Sequence, residues 1–253
     1  MIKSLKYQAK DVYLTLSSIF YRGHNFHCPI CQKFFRKMKP HKGIYSLQGT
    51  TIDHYPPDAH CPSCNLDIRH RLFYKNFIPY LHGNNYSVLH FAPEYRIYTI
   101  LKTYSLTKYT VADIDPDLYS TAQQIDATKI PYETNTFDFI IFNHILQFIA
   151  DDTKALSELH RALKVRGKLF LTVPIYGDST FDGVQLSVNE RTRIMGAPDH
   201  LRMYGLDLVT RLENLNMSVK VIDLYATKSN IYNEKFKSPH SDSDRYLFIC
   251  EKN

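Results

Sequence analysis

Two Cys-Pro-x-Cys pairs constrain this chain more than any other feature. Cys28-Pro29-Ile30-Cys31 and Cys61-Pro62-Ser63-Cys64 are 29 residues apart. They lie in a stretch, Gly23 to about Arg71, where hydrophobic periodicity fails and Cys, His, Pro and turn residues concentrate. A segment of that kind needs a clamp other than an apolar core. Each pair turns two thiolates toward one point, and four thiolates complete the tetrahedron that Zn²⁺ prefers. A closed sphere leaves no position for water, so the expected zinc is structural and its ligands are Cys28, Cys31, Cys61 and Cys64. Redox pairs and disulfides are the competing readings. A redox motif, however, comes singly at the start of a helix after a strand, and a reducing compartment disfavours disulfides. The fifth cysteine, Cys250, sits in an expected final strand and reads as a small buried hydrophobe. His24, His27, His41, His54 and His60 lie nearby, but four thiolates suffice without them.

A chain of 253 residues with 44% hydrophobic and 22% charged residues folds as one ordinary domain plus an appendage. The net charge of +6 favours a polyanionic partner without requiring one. No run approaches the roughly 18 apolar residues of a membrane span. Lys3, Lys6 and Lys10 are followed by Asp11 rather than by an apolar core and cleavage site, so no signal peptide is expected and the cytoplasm is the expected location. Ile2, Leu5, Ala9, Val12, Leu16 and Ile19 recur at spacings of three and four, which predicts an amphipathic helix over residues 1–22. Its stripe is expected to dock on its own domain, in preference to forming a dimer seam or a membrane-surface helix.

The periodicity predicts a zinc-binding module with a linking helix over 23–82, the helix running from Leu66 to Leu81 and burying Leu72, Phe73, Phe77 and Tyr80. From 83 to 253 strand and helix signals alternate. Val88 to Phe91, Tyr109 to Ile114, Gln123 to Ile125, Phe137 to Phe142 and Lys168 to Val173 are short β-rich runs, and such a rhythm argues a parallel sheet. The clearest helix is capped by Asp151-Asp152, carries Ala155, Leu156, Leu159, Ala162 and Leu163 on one side, and stops near Gly167. Leu206 to Asn216 reads as a helix, and Val219 to Tyr225 and Arg245 to Cys250 as the last strands. Residues Ile175 to Arg202 read as a long connection of the kind that forms lids, in which Arg191, Arg193 and Arg202 are candidates to grip an anion, with a solvated basic face the simpler reading.

In an open α/β sheet the ligand sits at the carboxyl ends of the strands. There this chain has Asp113 and Asp115 after its second strand, Asp126-Ala127 after its third and Asn143-His144 after its fourth. The runs Asp126-Ala127-Thr128-Lys129-Ile130-Pro131-Tyr132, Asn135-Thr136-Phe137-Asp138-Phe139-Ile140-Ile141 and Asn143 to Ile149, then Ala155 to Lys164 and Gly167 to Pro174, resemble in order and spacing the class I S-adenosylmethionine-dependent methyltransferases. The likeness is greatest to the branch with small-molecule, lipid and RNA substrates. The resemblance implies a Rossmann-like methyltransferase sheet, mostly parallel with the last strand antiparallel and helices on both faces, behind a small zinc ribbon-like module. It also implies ribose binding by Asp113, with Asp115 as the alternative, adenine contact by Asp126 and Ala127, and cofactor or substrate contact by Asn143 and His144.

The first turn departs from that family. His90-Phe91-Ala92-Pro93-Glu94 stands where glycines are usual, and a glycine-free turn is expected to avoid positive φ and to hold its backbone farther from a ligand. His90, Ala92 and Glu94 still belong to the expected cofactor-binding set, Glu94 as a countercharge to the positive methionine end. The same turn, with Asp199-His200-Leu201-Arg202-Met203-Tyr204-Gly205, resembles a group of zinc-module-bearing bacterial methyltransferases. The implied reaction carries a methyl group to an oxygen or nitrogen of a small-molecule or glycan acceptor, with His144 or His200 as the base. An RNA base methyltransferase that holds RNA with its zinc module is the alternative enzyme, and a non-catalytic adaptor with a degenerate first turn is the alternative from another class.

Overall fold

The computed structural model describes residues 12–40, 45–47, 50–52, 60–82, 85–115, 122–224 and 245–253. They form two compact units: 12–40, 60–80 and Leu224 belong to the first, and the other described residues to the second.

In the first unit, residues 12–17 are helical and pass through a 3₁₀ turn, Ser18–Tyr21, into β1 (Arg22–Cys28). That strand pairs antiparallel with β2 (Lys33–Phe35) around the first cysteine knuckle. The expected stripe is not the buried side. Leu14 and Ser18 are buried, whereas Val12, Leu16 and Ile19 are exposed, so the expected docking of that stripe on its own domain is not what the described helix shows. Ile2, Leu5 and Ala9 lie outside the described residues, as do His41 and His54. Beyond the second knuckle, Asp67 accepts a hydrogen bond from His70 N and caps α1 (Ile68–Phe77), which buries Leu72, Phe73 and Phe77 and continues as a 3₁₀ turn, Ile78–Leu81. Tyr80 stays partly exposed.

The second unit contains a two-stranded pair, β3 (Tyr45–Leu47) with β4 (Thr50–Ile52), and a seven-stranded sheet. The sheet comprises β5 (Ser87–Phe91), β6 (Lys108–Asp113), β7 (Gln123–Gln124), β8 (Phe137–Asn143), β9 (Leu163–Thr172), β12 (Met217–Asp223) and β13 (Tyr246–Lys252), in the order β12-β13-β9-β8-β5-β6-β7. The pairings among β5 to β9 are parallel, and β13 runs antiparallel to both neighbours. From β5 the chain adds strands in one direction through α2 (Tyr95–Leu101). From β8 it adds them in the other through α3 (Asp152–Ala162). Parallel crossovers are right-handed, so two that leave in opposite directions put α2 and α3 on opposite faces of the sheet.

On the α3 face, Leu89, Phe91, Ile140, Phe142, Leu169 and Leu171 pack with Ala155, Leu156, Leu159 and Ala162, joined by Leu208 and Leu212 of α5 (Leu208–Glu213). Helix α3 ends before Gly167, because β9 already begins at Leu163 and the extended backbone pairs with Phe137. Gly167 instead permits a close backbone approach, since a Cβ there would lie 2.8 Å from Lys164 O. The connection after β9 is not bare loop. It contains β10 (Phe181–Asp182), α4 (Val188–Met195) and β11 (Arg202–Met203), and Ser187 and Glu190 form a capping box on α4.

Candidate active site and metal centre

The two knuckles are built alike. Gln32 and Asn65 follow the second cysteine of each pair with φ of 56° and 58°, and their amides donate to Cys28 O and Cys61 O, both at 2.9 Å. Each turn therefore curls its two sulfurs inward. The Sγ distances are 3.7 Å for Cys28 to Cys64 and 3.7 Å for Cys31 to Cys61, and all four sulfurs lie within 4.8 Å of one another. Four sulfurs about 2.3 Å from a central ion stand about 3.8 Å apart along a tetrahedron edge, whereas a disulfide needs about 2.05 Å. The donor set thus fits one tetrahedral metal ion and not two disulfides. Hydrogen bonds with Cys28, Cys31 and Cys64 hold the Cys61 thiol far below the ordinary thiol range, and those with Cys28, Cys31 and Cys61 push Cys64 up.

In the second unit the parallel register brings the expected strand ends to one edge. Phe91 pairs with Ala112 and Phe142, Asp113 with Gln124, and Asn143 with Thr172. Neighbouring strands are about 4.8 Å apart, so the residues leaving β5, β6 and β8 share the point where the order of strand addition reverses. The turn after β5 corrects the sequence expectation. Ala92 has φ of 42°, in the left-handed region, and its amide donates to Ala112 O at 2.8 Å. His144 after β8 also has a positive φ, 53°, and its amide donates to Thr172 O at 2.8 Å. Non-glycine residues in that region cost of order 1 kcal/mol or more each and persist where their surroundings hold them.

Asp113 is buried; its Oδ1 accepts from Asp115 N at 3.0 Å, and its Oδ2 has no donor among the described residues. Asp115 is exposed beside it. Asp126 Oδ1 takes the amide and hydroxyl of Thr128, both at 2.8 Å, with Ala127 buried between. Arg161 of α3 holds the loop that follows, donating to Ile130 O and Tyr132 O, while Glu158 accepts from Ile130 N. Asn143 Oδ1 accepts from the Thr172 hydroxyl at 3.1 Å. Glu94 occupies the cap position of α2 without a side-chain cap bond. His90 is fully buried on the α2 face, with Nδ1 2.9 Å from the Tyr109 hydroxyl. Burial lowers its pKa to about 4 against the opposing pull of Glu94.

The structure also brings His144 and His200 into one neighbourhood. Gln147 donates through Nε2 to His144 O, and its backbone carbonyl accepts from Leu201 N at 2.8 Å. The His200 ring stands edge-on to Phe148 at 5.2 Å, and burial lowers its pKa although Asp199 opposes the shift. Gln147 Oε1 and His200 Nδ1 are buried without a hydrogen-bond partner among the described residues.

Sequence reasoning missed what the rest of the 199–205 motif does. Arg202 donates to Ile149 O, Ala150 O and Asp182, and Tyr204 donates to Asp152 Oδ2 at 2.7 Å, an oxygen that Arg211 also meets at 2.8 Å. Burial, with Asp152 beside it, pushes the Tyr204 phenol up, so it remains the donor. Arg202 is therefore a clamp and not an anion grip, and Arg191 is likewise spent on Leu186 O and Pro198 O. The available signal was the doubled Asp151-Asp152: Asp151 caps α3 by accepting from Lys154 N, and Asp152 is buried.

Residues 95–171, from α2 to β9, match the family model described as "Methyltransferase domain". No curated protein matches the chain. The YcgJ protein of Bacillus subtilis is similar in structure, with 14% identity, a TM-score of 0.51, and coverage of 73% of this chain and 99% of that one. An S-adenosylmethionine-dependent methyltransferase from Mesorhizobium loti gives 9% identity, a TM-score of 0.53 and coverage of 72% and 98%. A putative S-adenosylmethionine-dependent methyltransferase from Listeria monocytogenes gives 11%, 0.51, 73% and 99%. Residues 95–171 thus match a methyltransferase-domain model, and the second unit has the fold of these S-adenosylmethionine-dependent methyltransferases. In this chain the turn after β5 carries a left-handed Ala92, and the first unit carries a four-cysteine cluster.

Proposed function

We propose that the protein transfers the methyl group of S-adenosylmethionine to an oxygen or nitrogen atom of a small-molecule or glycan acceptor in the cytoplasm, and that its four cysteines hold one structural zinc. The observation that carries this reading is the convergence, at the switch point of the sheet, of two left-handed strand exits, Ala92 and His144, with the Asp113 carboxylate beside them. When bound, S-adenosylmethionine brings a methyl group already activated by its sulfonium, so the chain has mainly to align the reactants and exclude water. Asp113 Oδ2 accepts a ribose hydroxyl, Asp126 and Ala127 face the adenine, and Glu94 offsets the positive methionine end beside the Ala92 turn. Asn143 borders the cofactor. His200, kept neutral at pH 7 by burial, or His144 takes the proton that the acceptor's hydroxyl or ammonium group loses. Gln147 Oε1 and His200 Nδ1, without a partner among the described residues, support an acceptor on this side, since buried polar atoms are normally satisfied.

Titration calorimetry tests the assignment. Asp113→Ala is expected to weaken S-adenosylmethionine binding by about 1.5 to 3 kcal/mol, roughly 10- to 150-fold. An unchanged dissociation constant in a folded variant rejects the ribose site.

A further inference from the structure

Among the described residues, one side of the first unit's helix is left exposed. Along residues 12–21, Leu14 and Ser18 turn inward, and the opposite side leaves Val12 60%, Tyr13 67%, Leu16 59%, Ile19 49% and Phe20 76% exposed. Phe34 on β2 is 48% exposed, and it shares with Ile19 the lining of a cavity of about 420 Å³, along with Thr15, Arg22, His24 and Lys33. Scattered exposed apolar residues are ordinary, but six large ones on a helix and the adjoining hairpin form a patch of the kind that marks an interaction site.

Within residues 12–40 the formal charge is of one sign. Residues 12–40 contain Arg22, Lys33, Arg36, Lys37 and Lys39 and no acidic residue. Residues 1–80 hold twelve of the 31 Lys and Arg but only four of the 25 acidic residues, so the chain's positive charge resides in this part and the remainder is slightly negative. In the sequence the apolar spacing continues back through Ala9, Leu5 and Ile2, interleaved with Lys10, Lys6 and Lys3, with Asp11 the one acidic residue of the first forty.

A second copy of the same surface would bring like charges face to face. A nucleic acid would pair with the cations but leave aliphatic Val12, Leu16 and Ile19 in water, because phosphates and sugars offer them no apolar cover. An anionic leaflet satisfies both halves, taking apolar side chains into the acyl boundary and cations into the headgroup layer. We propose that the helix and hairpin face of the first unit is a docking surface for anionic phospholipid membranes, with residues 12–21 lying in the interface. No helix among the described residues is long and apolar enough to cross a membrane.

Co-sedimentation of the full chain with vesicles tests this directly. Binding to phosphatidylcholine vesicles containing about 30% phosphatidylglycerol should exceed binding to pure phosphatidylcholine at least tenfold and should fall as salt is added. Leu16→Glu with Ile19→Glu should reduce it by more than tenfold, and Arg36→Ala or Lys37→Ala by about fivefold each. Retained circular dichroism shows that the variants fold, and the exposed Arg36 and Lys37 sites keep the test decisive if the double variant does not. Equal partitioning of wild type and variants, or equal binding to neutral and anionic vesicles, overturns the proposal. So does a solution dimer split by Leu16→Glu without vesicle binding, or an oligoribonucleotide complex indifferent to Leu16→Glu without vesicle binding.

Discussion

His90 stands near the carboxyl end of β5 with none of its surface exposed and, among the described residues, only Nδ1 in a hydrogen bond, to the Tyr109 hydroxyl. Burial takes its pKa from the ordinary 6.5 to about 4. The folded protein therefore refuses a proton that the unfolded chain accepts, and the sign follows from linkage: His90 contributes its full stability above pH 6.5, loses it as pH falls, and has lost it once pH is below about 4. At 1.36 kcal/mol per pH unit the interval is worth about 3 kcal/mol. The chain has no tryptophan, so urea unfolding is followed by circular dichroism at a series of pH values between 4 and 7.5 for wild type and His90→Gln. Every other titrating group is common to both, so the stability difference isolates residue 90. Wild type minus variant is expected to fall by about 3 kcal/mol between pH 7 and pH 4. Parallel curves within about 0.5 kcal/mol, or a proton resonance of the His90 ring titrating near 6.5 in the folded protein, refute the reasoning.

Protein purified without chelator is expected to contain about one zinc per chain, and Cys28→Ser to lose the metal and destabilise the first unit; less than a tenth of an equivalent refutes the site. Glu94→Gln is expected to weaken S-adenosylmethionine binding while sparing neutral adenosine, and calorimetric losses that are equal for the two ligands reject an electrostatic role. Asp152→Ala leaves buried Tyr204 and half-buried Arg211 without their shared acceptor and is expected to cost about 3 kcal/mol, and Tyr204→Phe about 1 to 3 kcal/mol; denaturant midpoints unchanged by both would show that the network contributes nothing.

Much of this architecture was legible because its signals are local. Cysteine has little competing use at such spacing, so the clustering of the four could be read without knowing the fold. The strands of the methyltransferase half announce themselves by β-branched and aromatic runs that end in turn residues, and Asp151 caps α3 as its position before Ala155 and Leu156 suggests. What was not legible depends on distant partners. The amphipathic spacing of Val12, Leu16 and Ile19 says that the helix has an apolar side, but not what covers it, and Leu14 and Ser18 became the packed side instead. Arg202 looked like a free cation because its acceptors, Ile149 O and Ala150 O, lie some fifty residues earlier.

Ala92 shows how such a misreading arises and what it means for the site. Propensity assigns positive φ to glycine because an added Cβ is strained there, and on that rule a turn without glycine looks disabled. The rule gives a cost of order 1 to 2 kcal/mol, not a prohibition. Here the Ala92 amide is tied to Ala112 O, in the strand that ends at Asp113, so the sheet itself imposes the turn. The same holds on the other side of β5, where the His144 amide is tied to Thr172 O. Both strained residues are anchored by the neighbouring parallel strand and both open onto the edge where Asp113 sits. The strain is therefore located by the sheet's pairing at the place where a doubly wound fold binds its ligand, and a backbone held this way needs no glycine to adopt the shape.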